Sequence, residues 1–139
     1  LIIKHTPGAI LGFIERVKVD FILYEYPMLA PIEEIDGIRL ASLPDLAAMK
    51  VNAISRRGVQ KDFWDIAELL DHFSLEEMLL FFKQKHKATD VGHIVRSLVY
   101  FADADESEPP LTLKTHNWDG VKKKIEGAVR KYVRNQTRS

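Results

Sequence analysis

The chain has 139 residues, 46% of them hydrophobic, enough for one globular domain or for one domain joined to a remnant of another. Its 20 acidic and 20 basic residues leave a formal net charge of zero, so no whole-molecule field draws it to nucleic acid. It has no cysteine, no apolar run of the roughly 18 residues a membrane span needs and no secretory signal pattern, which excludes disulfides, thiolate metal sites and a spanning helix and fits a cytoplasmic location.

The chain opens at Leu1 inside an apolar, β-branched run, Leu1 to Lys4, that reads as a strand with no cap or turn before it. It is therefore expected to be the C-terminal piece of a longer protein. Thr6-Pro7-Gly8 is turn chemistry. Ile10 to Arg16 reads as a second strand with Gly12 as a weak point or bulge, and Val17 to Tyr24 as a third. On the third, Val19, Phe21 and Leu23 face one way and Lys18, Asp20, Ile22 and Tyr24 the other. Aspartate is depleted in strands, so Asp20 is either an edge charge facing water or a carboxylate of a metal or phosphate site. The proline-containing stretch from Tyr24 to Asp36 reads as a loop, in which Tyr24 and Tyr26 cover the core or stack on a base. Ile38 to Ala41 reads as a last short strand. Ser42 is placed to cap the next helix, with Asp45 standing in for the acid of a capping box and Pro44 in the first turn.

The stretch from Asp45 to Asp65 carries the most chemistry. Leu43, Leu46, Ala47 and Ile54 form one helical stripe, with Asp45, Asn52 and Arg56 opposite. Lys50 and Arg57 project from the middle of the apolar stripe. Gly58 suits a left-handed helix end. A second helix starts at Gln60 or Lys61, with Ile66, Leu69, Leu70 and Phe73 on its apolar face, Asp62 on that face and Asp65 on its flank. Two cations and a carboxylate thus point at buried surface, where stranding one of a buried pair costs about 3–5 kcal/mol. Either they form an ion-pair network pinning two helices, or they face a cleft and handle an anion; long stems that snorkel outward would weaken both readings. Trp64, opposite the apolar stripe, gives weak support for a dimerising surface.

Ser74-Leu75-Glu76-Glu77 is a capping box opening a helix to about Lys85. Thr89 or Asp90 opens another, carrying Ile94, Val95, Leu98, Val99 and Phe101. Residues 103–116 read as an acidic loop, with Leu111 and Leu113 tucked back onto the helices. The last helix runs from about Asn117 to Arg134 with Trp118, Val121, Ile125, Val129 and Tyr132 as its stripe. Lys122, Lys123, Lys124, Arg130, Lys131 and Arg134 occupy its other faces, as a solvated surface, a nucleic-acid contact or a membrane-surface helix. His5, His72, His86, His93 and His116 show no metal-ligand spacing.

The run Lys50-x-x-Ala53-x-x-x-Arg57-Gly58-x-x-Lys61-Asp62-x-x-Asp65 resembles the C-terminal signature of the AbiEii/AbiGii toxin family. These are nucleotidyltransferase-fold proteins of type IV toxin–antitoxin (abortive infection) systems. Gly37-Ile38-Arg39-Leu40-Ala41-Ser42-Leu43-Pro44-Asp45-Leu46 and Val19-Asp20-Phe21-Ile22 resemble that family in the same order, and the likeness covers roughly residues 15–85. The family's N-terminal Gly-Ser motif and its metal-binding aspartates have no counterpart here.

The resemblance implies an α+β fold: a partial nucleotidyltransferase sheet over residues 1–42, then a helical bundle over 43–139. It implies that the intact protein transfers a nucleotide from a nucleoside triphosphate, with Mg²⁺, to an acceptor, RNA and first of all tRNA, and that it has a cognate antitoxin. Asp20 would complete the metal site and Lys50 would contact the triphosphate. Asp62 would orient Lys50 or act as a base, and Arg57 with Asp65 would brace the helix pair. With one carboxylate for the metal, the chain by itself is expected to be inactive. The rival expectation is a non-catalytic helical module that holds nucleic acid or an acidic protein on its basic last helix.

Overall fold

The computed structural model describes residues 1–114 and 117–138, so His116 lies outside the described residues. Strands β1 (Ile2–Thr6), β2 (Ala9–Ile14) and β3 (Val17–Ile22) form an antiparallel sheet in that order. Opposite Gly12 and Leu11 the register of β1 slips between Ile2 and Lys4. A Cβ on Gly12 would stand 2.4 Å from the Leu1 carbonyl oxygen, so the backbones meet there as only glycine permits. The second strand ends at Ile14, two residues short of the expected Arg16. Glu15 and Arg16 take φ of 47° and 71°, the sign a type I′ turn needs, and join Ile14 directly to Val17. That turn lacks the usual Asn or Gly, so the strand looked longer from its sequence. The expected alternation along β3 is present, yet neither side is a core face. Phe21 and Ile22, on opposite sides, are 61% and 63% exposed, and the strands pack chiefly on one another.

Glu33–Ile35, expected in a loop, is strand β4, paired with β5 (Ile38–Leu40) around Asp36 and Gly37 at φ 51° and 77°. The Asp-Gly dipeptide between the two is the signal for that hairpin.

The core lies among the helices α1 (Leu43–Arg56), α2 (Gln60–Leu69), α3 (Leu75–His86), α4 (Gly92–Leu98), α5 (Ala102–Asp105) and α6 (Trp118–Thr137). Helix α1 packs on α2, α3 and α4, and α6 closes over the same three. Ala47, Val51 and Ile54 of α1 meet Phe63 and Ile66 of α2, Met78 and Phe82 of α3, Ile94 and Leu98 of α4, and Val121, Ile125 and Val129 of α6. The stripe of α6 is therefore as its spacing predicts. The stripe of α1 is rotated from the expected one: Leu43 is exposed, while Asp45, placed on the polar side by periodicity, is fully buried. Ser42 and Ser74 cap α1 and α3 with their hydroxyls, and the Ser74–Glu77 capping box has both of its bonds.

Gly58 is not left-handed; Arg57 leaves α1 in an extended conformation instead (φ −148°, ψ 133°). Helix α4 begins at Gly92 rather than Thr89 or Asp90, with the Asp90 carboxylate accepting from the Gly92 N–H at 2.8 Å. It ends at Leu98, before Val99 and Phe101. The acidic loop contains the turn of α5, and Leu111 and Leu113 are exposed rather than tucked in. Among the described residues, no helix is long and apolar enough to cross a membrane.

Candidate active site

Lys50, Arg57, Asp62 and Asp65 converge where α1 runs into α2. Lys50 sits two turns from the end of α1 and its Nζ reaches the first two turns of α2, 2.6 Å from Asp65 Oδ2 and 3.4 Å from Asp62 Oδ1. Arg57 stands just past the end of α1 rather than within its stripe, and it holds the same carboxylate two-handed: Nε donates to Asp62 Oδ2 at 3.0 Å and a terminal nitrogen to Oδ1 at 3.4 Å. The Asp62 side chain is fully buried, whereas those of Lys50 and Arg57 are 31% and 57% exposed. Both cations thus rest on a buried carboxylate and turn their outer sides to solvent. This brace pins the two helices, and it also presents two fixed cations at a surface. Asp65 is half exposed and is bound to Lys50 alone among these groups.

Asp20 is not linked to this group by any ion pair or hydrogen bond. It lies exposed on β3, and its ion-pair partner is Lys18 at 3.3 Å. Among the described residues no three His, Asp or Glu side chains gather as metal ligands. One carboxylate, already paired with a lysine, does not by itself make a magnesium site.

The basic helix divides its cations. Lys122 is tied to Asp105 at 3.1 Å, beside the Trp118 indole N–H that donates to the same oxygen at 2.6 Å; these two bonds hold the Asp105 carboxyl below its ordinary range. Lys124 pairs with Asp71 at 2.5 Å and lowers that carboxyl likewise. Lys123, Arg130, Lys131 and Arg134 are exposed, with no ion-pair partner among the described residues. Trp64 belongs to the chain's own packing: it lies half-buried against the core and donates to Gln60 Oε1 at 3.3 Å.

Sequence reasoning missed a buried ion pair that anchors the segment leading into the helices. Lys85 Nζ stands 2.7 Å from Asp45 Oδ1 and donates to the Pro27 carbonyl at 2.9 Å, with both side chains at most 1% exposed. Asp45 also accepts from Leu29 N–H at 2.8 Å, Ala30 N–H at 3.2 Å and Ser42 Oγ at 2.6 Å. Burial pushes the carboxyl up, but the bonds from Lys85, Ser42, Leu29 and Ala30 outweigh it and hold it at about 2. The signal was present: Lys85 recurs with Met78 and Phe82 on an apolar stripe, the same anomaly that marks Lys50. Next to it, Tyr24 Oη lies 2.6 Å from His86 Nε2 and the Tyr26 ring 4.4 Å from the imidazole. The other nitrogen, Nδ1, faces the Phe82 carbonyl at 3.3 Å, so it carries the proton and Nε2 accepts from Tyr24.

A small antiparallel sheet leading into a helical bundle, with a Lys–Arg–Asp brace at the first helix junction, defines an α+β protein. The family model for nucleotidyl transferase AbiEii toxins of type IV toxin–antitoxin systems matches residues 11–136, and the chain belongs to that family. It is similar to a protein of Aquifex aeolicus (strain VF5), "Uncharacterized protein aq_aa25", with 34% identity over 135 residues. The alignment covers 94% of this chain and 65% of that relative, so the chain spans less than two thirds of its length. No solved structure matches.

Proposed function

We propose that the Lys50–Arg57–Asp62 brace is the triphosphate-handling part of a nucleotidyltransferase that moves a nucleotide from a nucleoside triphosphate to an RNA acceptor, tRNA first. The observation that carries the reading is the burial of Asp62 beneath two cations whose outer sides are open. A buried carboxylate orients the cations, and oriented cations stabilise charge on a transferring phosphoryl group better than mobile ones do. On this reading Lys50 exchanges Asp65 for a phosphate oxygen, Asp62 keeps the ammonium aimed, and Arg57 keeps Asp62 in place.

The reading takes Mg²⁺ as the metal and Asp20 as a single ligand to it. No group of three ligands gathers among the described residues, and the chain alone is expected to show no turnover. Family membership supports a cognate antitoxin as the protein partner. The test is nucleotide transfer by the longer protein carrying Lys50→Ala or Asp62→Ala, beside Asp65→Asn. Loss of transfer of about 100-fold or more in the first two, with Asp65→Asn active, is the expected pattern. Undiminished transfer in both alanine variants would remove the assignment.

A further inference from the structure

We propose that the outer face of α6 is a docking surface for the phosphate backbone of duplex nucleic acid, formed by Lys123, Arg130, Lys131 and Arg134 but not by Lys122 or Lys124. Lys123, Arg130 and Arg134 recur at seven and four residues, which puts them on one side of the helix, with Lys131 beside them. That side is turned away from the buried Val121, Ile125 and Val129. The cations on the flanks are already spent: Lys122 on Asp105 and Asp119, Lys124 on Asp71. The four on the outer face are exposed and have no acidic partner among the described residues. Asp119, which pairs with Lys122, and Glu126 are the acids that border this face. Gly127, in the middle of the run, leaves the helix bare there: a Cβ would meet only an Arg130 guanidinium nitrogen, at 4.0 Å. A rigid backbone can therefore come close between Lys123 and Arg130, at a site where glycine weakens the helix.

The composition of the face selects the partner. Its one exposed large apolar side chain, Val133 at 46%, lies at the edge, because the stripe of Val121, Ile125 and Val129 is consumed by the core. A membrane-surface helix needs that stripe for the bilayer, and a protein interface needs an apolar centre. The face holds no aromatic ring, and single-stranded nucleic acid is held largely by stacking on such rings. What remains is a row of exposed cations about 16 Å long from Lys123 to Arg134, long enough to reach phosphates across the roughly 12 Å major groove of a B-form duplex. Binding is carried by phosphates, which RNA and DNA duplexes both present, so it should be independent of base sequence.

The claim rests on the transferase reading only in taking the bound duplex as part of its acceptor; binding is measured without nucleoside triphosphate, so either can fail alone. The probes are a 20-base-pair RNA duplex, the same sequence as DNA, poly(U), and phosphatidylserine-containing vesicles, with fluorescence anisotropy or co-sedimentation as the readout. We expect duplex affinity to fall about 150-fold between 50 and 200 mM salt if all four cations meet phosphates. Arg130→Gln/Lys131→Gln/Arg134→Gln should weaken duplex binding by about 100-fold or more and flatten the salt dependence. Lys122→Gln/Lys124→Gln should bind as the unaltered protein does while melting earlier. Unchanged binding by the triple variant, tighter binding of poly(U) than of duplex, or vesicle binding that outcompetes duplex would each overturn the proposal.

Discussion

Replacing Lys85 by Met tests whether the buried pair with Asp45 holds the pre-helical segment to the bundle. Methionine keeps the length and apolar stem of lysine but leaves the Asp45 carboxylate charged, buried and short of one partner. It also removes the bond to the Pro27 carbonyl. Breaking one side of a buried pair costs about 3–5 kcal/mol. The three remaining bonds to Asp45, from Ser42, Leu29 and Ala30, soften that, so the lower end applies. At roughly 3 °C per kcal/mol for a chain of this size, the melting temperature should drop by about 10 °C. Asp45→Asn should cost a similar amount by stranding the ammonium, and the double variant should cost less than the sum of the two. Acid provides an independent check. The Asp45 carboxyl is lowered from 3.8 to about 2, so its contribution is present above the ordinary value and is lost as pH falls through the folded one. That difference is worth roughly 2 kcal/mol, and acid unfolding of the unaltered protein should be steepest between about pH 4 and 2. Circular dichroism melts from pH 2 to 7 supply both measurements, with Lys123→Met as the exposed-lysine control. If Lys85→Met melts within 2 °C of that control and the two singles add, the pair contributes nothing and the reasoning fails.

Gly12→Ala should detach the first strand, since the new methyl group would meet the Leu1 carbonyl at 2.4 Å; faster hydrogen exchange at the Phe13 N–H, which donates to that carbonyl, reports it. Ser74→Ala removes one arm of the capping box of α3 and should lower stability by about 1 kcal/mol in urea titration. His86 should titrate below 6.5 by proton NMR, because burial and then the nearby Lys85 and Arg56 disfavour the imidazolium. Its folded value is depressed, so what the neutral ring contributes to stability is lost as pH falls through that value. Tyr24→Phe, which removes the bond to Nε2, should change that titration, and an unaltered midpoint would mean the contact is absent in solution.

Much of the helical half was legible in the sequence, because its signals are local. Ser74 and Glu77 cap α3 as their spacing predicts, and the buried stripe of α6 is the one its three- and four-residue intervals mark. Lys50, Arg57, Asp62 and Asp65 were legible as charges in the wrong place, and they do converge, though Arg57 does so from beyond the helix end. Errors came where a short apolar element had two readings. Glu15-Arg16 turns without glycine, and Glu33–Ile35 looked like loop because it follows two prolines.

The sequence by itself determined the helical segments other than the short α5, that charges sit at the junction of α1 and α2, and the family to which the chain belongs. Each follows from periodicity, caps or motif spacing, which reach no further than a few turns of chain. Only the tertiary structure decided which charges are spent on one another. Asp45 meets Lys85 across 40 residues, and Lys124 meets Asp71 across 53. Those pairings depend on how α3 and α6 are rotated against their neighbours, and that rotation is set by the packing of the whole core.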